Sequence, residues 1–170
     1  DHDRYEWSML ADRKTVTWPD DKKLAFWVNV CLQYFPLNQK GEPFVSSGGL
    51  TMPYPDLRHY SLREYGNRVG IYRFLKCFDE YLIKPTFAMN TRVGERYPYL
   101  LDVIKERNEE IICHGLHMDA IHYGGQDIDE ERELVSRSLD ILRNLTGHDV
   151  TGWISPDRNE SENTPDLLAE

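Results

Sequence analysis

Short apolar runs bounded by turn-forming residues alternate along this chain with stretches whose apolar positions recur every three to four residues. Residues 24–31 form a nearly continuous apolar and β-branched run, entered after Pro19 and a cluster of charges, and predict a strand covered on both faces. Residues 86–90, 110–113 and 150–154 predict three more strands. Between them, Val69, Tyr72, Phe74, Leu75, Phe78 and Leu82 predict an amphipathic helix over 69–83 that Lys84 and Pro85 stop. Tyr97, Leu100, Leu101 and Ile104 line one face of a second helix over 93–106. Leu134, Val135, Leu139, Leu142 and Leu145 mark the buried stripe of a third over 129–145, opened by acids that suit its dipole and closed at Thr146 and Gly147. Residues 32–66 show no helical period. They hold Gly48, Gly49, Pro53, Pro55 and several tyrosines, and read as a long, ordered, site-forming connection.

Strand and helix in strict alternation predict an α/β fold of parallel βα repeats, as a barrel or an open sheet. No glycine-rich phosphate loop follows the first strand, which weakens a dinucleotide reading. The expected organisation is an extension over 1–21 followed by one partial barrel domain over 22–170. Asn163 and Pro165 open a further helix at the end of the sequence. Four parallel strands leave a sheet unclosed, so the expectation is either a piece of a larger protein or a second polypeptide completing the barrel, with hetero-oligomerisation beyond that.

At 170 residues, 40% hydrophobic and 12% aromatic, the chain can bury one core. Its net charge of -9 and pI near 5.1 argue against nucleic acid, which needs clustered Lys and Arg. Cys31, Cys77 and Cys113 are odd in number and widely spaced, so they suggest neither a disulfide framework nor a cysteine zinc site, and a reducing compartment fits. No window approaches ~18 consecutive apolar residues, and the start lacks the layout of a signal peptide. The expectation is a cytoplasmic protein with no membrane partner.

The chemistry-bearing stretch is 110–122, an apolar run that opens into His114, His117, Asp119 and His122. Strand ends that spill imidazoles into a loop are where parallel α/β folds keep their sites. Hydrolysis of an amide needs a group to activate water, a donor to the oxyanion and an acid for the leaving nitrogen. His114, just beyond the strand, is the first candidate for base or acid, against the plainer alternative of a ring bonded to a neighbouring carbonyl. His117 and His122, with Asp119 between them, could orient one another or, with His114, bind a divalent metal such as zinc, although their spacing is no strong signature. Asn29 and Gln33 could recognise an amide edge. Cys31 is a buried thiol or a nucleophile, and Ser155 and Arg158 follow the fourth strand, where Arg158 could clamp a carboxylate or pair with Asp157 or Glu160 for ~0–1 kcal/mol.

The first strand and its loop, Tyr65-Gly66-Asn67-Arg68-Val69-Gly70 opening a helix, Lys84-Pro85-Thr86-Phe87-Ala88-Met89-Asn90, Glu110-Ile111-Ile112-Cys113-His114-Gly115 and Gly152-Trp153-Ile154-Ser155-Pro156 together resemble the polysaccharide deacetylase superfamily, in its allantoinase-like and imidase-like branch. The resemblance runs from about Lys22 onward. It implies the N-terminal half of a distorted (β/α)7 barrel and hydrolysis of amide-type C–N bonds. Metal-dependent members carry two aspartates at the end of the first strand, where this chain has Val30, Cys31, Leu32 and Gln33, and a His-x-x-x-His pair, of which His114 matches the first and Met118 replaces the second. By this resemblance the metal-free branch is the better analogy. The reading is a hydrolase of a small amide, cyclic imide or ureide with His114 central. The alternative is a non-catalytic or regulatory subunit retaining the fold.

Overall fold

The computed structural model describes residues 5–38, 55 and 57–170. Three short strands, β1 (Asn29–Leu32), β2 (Thr86–Met89) and β3 (Glu110–Cys113), pair in parallel in the order β1-β2-β3. The predicted fourth strand is reduced to a single parallel bridge, Cys113 to Trp153. Helices α1 (Leu57–Tyr65) and α2 (Ile71–Tyr81), joined by a π turn at Gly66–Gly70, cross from β1 to β2. Helices α3 (Thr91–Arg96) and α4 (Pro98–Glu106) cross from β2 to β3, α5 (Ile128–Thr146) follows β3, and the short α6 (Thr164–Leu167) lies beyond the bridge. The chain is therefore an α/β fold with parallel strands.

The expected first strand shrinks to Asn29–Leu32 because its pairing starts where β2 starts. The Thr86 amide donates to the Val28 carbonyl at 2.9 Å, and Leu24, Phe26 and Trp27 stay exposed rather than covered. The expected connection over 32–66 contains α1, a correction to its reading as loop. Leu57 and Leu62 of α1 are exposed and Glu64 is its buried residue, so no apolar stripe betrays the helix. Gly48, Gly49, Pro53 and Tyr54 lie outside the described residues, as do residues 1–4. The single helix expected over 93–106 is two. Pro98 disfavours helical backbone at Tyr97, whose φ of -123° and ψ of 63° break the run.

The core lies between one face of the sheet and α2, α4 and α5. Ile71, Leu75 and Phe78 come from α2, Leu100, Leu101 and Ile104 from α4, and Leu142 from α5. Each side chain so buried contributes roughly 1.5–3 kcal/mol against exposure. Val69, Phe74 and Leu82 of the first predicted stripe are instead exposed. Helix α5 begins at Ile128, one residue before its expected start, with the Asp127 carboxylate accepting from the Asp129 and Glu130 amides, and ends at Gly147 with φ 71° as expected. Its buried stripe is Glu131, Val135, Ser138, Leu142 and Thr146, while Leu139 and Leu145 are only partly buried.

Candidate functional site

Side chains alternate along a strand, so the register fixes two faces. Val30, Leu32, Phe87, Met89, Ile111 and Cys113 all join the apolar core. The opposite face carries Asn29, Thr86 and Glu110 in one row, then Cys31, Ala88 and Ile112. Continued one step past the strand ends, the same alternation aligns Gln33, Asn90 and His114.

This last row is bonded together. The His114 Nδ1 lies 2.7 Å from the Ile154 carbonyl oxygen, which can only accept, so Nδ1 carries the proton. In the neutral ring Nε2 then holds a lone pair, and it receives the Gln33 Nε2–H at 3.1 Å. Burial pushes the His114 pKa below its ordinary value, opposed by the Ile154 carbonyl and by Asp157, and so favours this neutral form. Asn90, fully buried, accepts from the Tyr34 amide at 2.8 Å through Oδ1 and donates to the His114 carbonyl through Nδ2. Asn67 in the π turn donates to the Gln33 carbonyl at 2.9 Å. The row is thus held from α1–α2 and from all three strand ends.

The turn Pro156–Arg158 closes over the row. A Cβ on Gly115, whose φ is 70°, would meet Pro156 Cγ at 2.5 Å, so only glycine lets the turn pack directly behind His114. Asp157 acts electrostatically on His114, and Arg158 on Cys31, where it opposes the burial that raises the thiol's pKa. Raised rather than lowered, that pKa disfavours Cys31 as a nucleophile.

The remaining candidates scatter. Asn29 donates to the Cys31 Sγ at 3.7 Å, and its Oδ1 is buried without a hydrogen-bond partner. His117 accepts the Asp119 amide at Nδ1, 3.2 Å away, and lines a separate cavity at the rim. Ser155 is buried, accepting from Trp153 Nε1 at 2.9 Å and donating to Glu160 at 3.3 Å, so it is occupied rather than presented to a ligand. His122 lies elsewhere. Fully buried, it sits with Nδ1 3.0 Å from Glu131 Oε1 and its ring 5.8 Å from that of Trp153, away from the His114 row. That contact is an ion pair only when the ring is protonated, and burial of His122 favours the neutral ring. Ser161 and Thr164 complete the Glu131 shell.

The metal set fares likewise. No group of three or more His, Cys, Asp or Glu side chains among the described residues could hold a metal ion, and His114, His117 and His122 do not converge. Met118 is buried, and Val30 and Leu32 face the core. The donors of an Asp-His-His site are absent from these positions, so the residues present do not fit it. The sequence reading missed Asn90, Asn67 and Asp157. Only Asn90 left a signal, as the polar residue that ends a fully buried strand.

No helix among the described residues is long and apolar enough to cross a membrane. A family model described as polysaccharide deacetylase matches residues 64–170. The peptidoglycan deacetylase of Helicobacter pylori is 27% identical over 105 residues, covering 61% of this chain and 35% of that protein. The crystal structure of Puue allantoinase superposes with a TM-score of 0.74 at 26% identity, covering 89% of this chain and 52% of that one. A pseudoenzyme of the CE4 family from Bacillus anthracis, 17% identical with a TM-score of 0.55 over 61% of this chain and 36% of that one, shares the fold. The chain spans about a third to a half of the length of these proteins.

Proposed function

The chain belongs to the polysaccharide deacetylase family, and from that premise we propose that it hydrolyses the C–N bond of a small amide, cyclic imide or ureide, its strands forming part of a (β/α)7 barrel. The observation that carries this reading is the tautomer of His114. Its Nδ1–H is fixed on the Ile154 carbonyl, which leaves a lone pair at Nε2 on the polar face of the sheet, beside two carboxamides. In the proposed reaction substrate displaces the Gln33 amide from Nε2, and Nε2 takes a proton from the attacking water. The Gln33 N–H, so released, donates to the carbonyl oxygen as it gains charge. The proton on Nε2 then passes to the leaving nitrogen. Asp157, the nearby charge that favours protonation of His114, stabilises the imidazolium between the two transfers. No step is routed through a metal.

The competing reading, a non-catalytic subunit, is favoured by the same Gln33 contact, which occupies the lone pair a base needs. One substitution separates them. His114→Asn keeps a hydrogen-bonding side chain and removes proton transfer, and it should lower turnover of an accepted amide substrate by about 10²–10⁴-fold with folding intact. Turnover in the unsubstituted protein should survive chelation of divalent ions. Near-normal turnover in a correctly folded Asn variant would hand the site to the non-catalytic reading.

A further inference from the structure

We propose that the rim cavity above the sheet is a carboxylate-binding subsite, so that the amide hydrolysed at His114 belongs to an anionic molecule. This rests on the hydrolase reading and adds the charge of the substrate to it. The cavity, about 560 Å³, is lined by Tyr34, Pro36, Arg92, Glu95, Arg96 and His117. It gathers two guanidinium groups and an imidazole against one carboxylate, in a chain whose net charge is -9. Such a local reversal of sign favours an anion.

The cations are held in place. Arg96 lies over the rings of Tyr34 and Tyr97, at 5.9 and 5.8 Å from their centroids, and its Nη2 donates to the Tyr60 hydroxyl at 3.2 Å. These aromatic contacts orient the guanidinium without neutralising it. Arg92 pairs with Glu95 at 2.6 Å through Nη1 alone, with its side chain 42% exposed, so the planar group keeps other donors for a ligand. The Asp119 amide donates to Nδ1 of His117 at 3.2 Å, which holds that ring at the cavity's edge. Two arginines less one glutamate leave about one positive charge among these three side chains. That balance matches a monoanionic carboxylate, bound two-pronged by a guanidinium, better than a phosphate dianion.

The subsite is tied to the His114 row by the backbone. The Met118 amide donates to the Tyr34 carbonyl at 2.9 Å, and the Arg92 amide to the Leu116 carbonyl at 3.2 Å. Tyr34 adjoins Gln33, Arg92 lies two residues past Asn90, and His117 three past His114. Chain reach therefore keeps the backbone of these lining residues no more than about 10 Å from the bonded row, so one small molecule can place its amide at the row and its carboxylate in the subsite.

N-acetylglycine and N-acetylglycinamide differ only in replacing the carboxylate by a neutral carboxamide, and binding of each to the full chain is measured by calorimetry, which needs no turnover. N-acetylglycine should bind about tenfold tighter or more, the difference expected of a charge-assisted two-pronged contact. Arg96→Gln and Arg92→Gln should each bring its affinity down toward that of the carboxamide, while carboxamide binding holds. Arg92 is half-exposed, so its variant keeps the test open if the packed Arg96 variant fails to fold. Equal affinity of the two probes, indifference to both substitutions, or tighter binding of inorganic phosphate would overturn the proposal. His114→Asn should leave the preference for N-acetylglycine in place, so loss of turnover in that variant reports on the hydrolase reading and not on the subsite.

Discussion

His114 and His122 show what burial does to the same side chain in two settings. Each is held below the ordinary histidine pKa chiefly by desolvation, and in each a neighbouring acceptor or carboxylate pulls the other way. The sign of the linkage follows. A folded pKa below the unfolded one means the unfolded chain binds more protons, so stability is full above about pH 6.5 and falls as pH drops through the folded values. Each histidine can contribute a slope up to about 1.4 kcal/mol per pH unit. Between pH 7 and 5, above the carboxylate range, urea-unfolding free energy should therefore fall, and His122→Gln should remove a measurable part of that slope. An unchanged slope would show that His122 does not titrate on unfolding. At this scale the site was half legible. His114 stood out because an imidazole directly after an apolar run lies at a strand end, where parallel α/β folds place their sites. His122 looked equivalent, yet the partner that decides its fate, Glu131, lies on the next helix and is visible only through the fold.

The elements were legible wherever apolar period and breaker agreed. The β3 bounds, the acidic first turn and Gly147 end of α5 and the alternation of strand with helix all follow from local residues. Helix α1 did not, because its stabilising contacts are polar: Glu64 accepts from the Tyr97 hydroxyl, and Arg96 reaches Tyr60. The fourth strand failed for a geometric reason, since it meets the sheet only at Cys113 and Trp153, with the Cys113 amide donating to the Gly152 carbonyl at 2.9 Å. That contact is close. A Cβ on Gly152 would stand 2.4 Å from Ile112 Cγ2 and 3.0 Å from its Cβ, and a β-branched neighbour cannot turn away freely. Gly152→Ala should thus cost about 1–3 kcal/mol, read as a lower Tm. The double variant with Ile112→Ala should lose less than the sum of the two single changes, because the clash and the cavity cancel. Strict additivity would mean that the two residues do not press on each other.

At the scale of the molecule, the family match starts at residue 64, and the elements that carry the core and the bonded row lie between Asn29 and Leu167. The described residues ahead of β1 differ in kind. Residues 5–27 hold no strand and only two single-turn 3-10 helices, and Trp7, Leu10, Val16 and Leu24 are all more than two-thirds exposed. Trp27 ties the segment to the sheet: its Nε1 donates to Thr86 Oγ1 at 2.9 Å, and Thr86 passes the chain of bonds to Glu110 at 2.6 Å. A segment that buries no apolar side chain contributes little to folding, since ordering its backbone costs about 1–2 kcal/mol per residue with no burial to offset it. A chain beginning at Lys22 should accordingly unfold at nearly the same urea concentration as the full one, within about 0.5 kcal/mol. Trp27→Phe in the shortened chain should lose roughly 0.5–1.5 kcal/mol, the net worth of one hydrogen bond. If removing residues 1–21 instead cost several kcal/mol, the exposed tryptophans and leucine of that segment would have to be packed in solution, against this chain or a second copy. The boundary between extension and barrel would then move to the first residue.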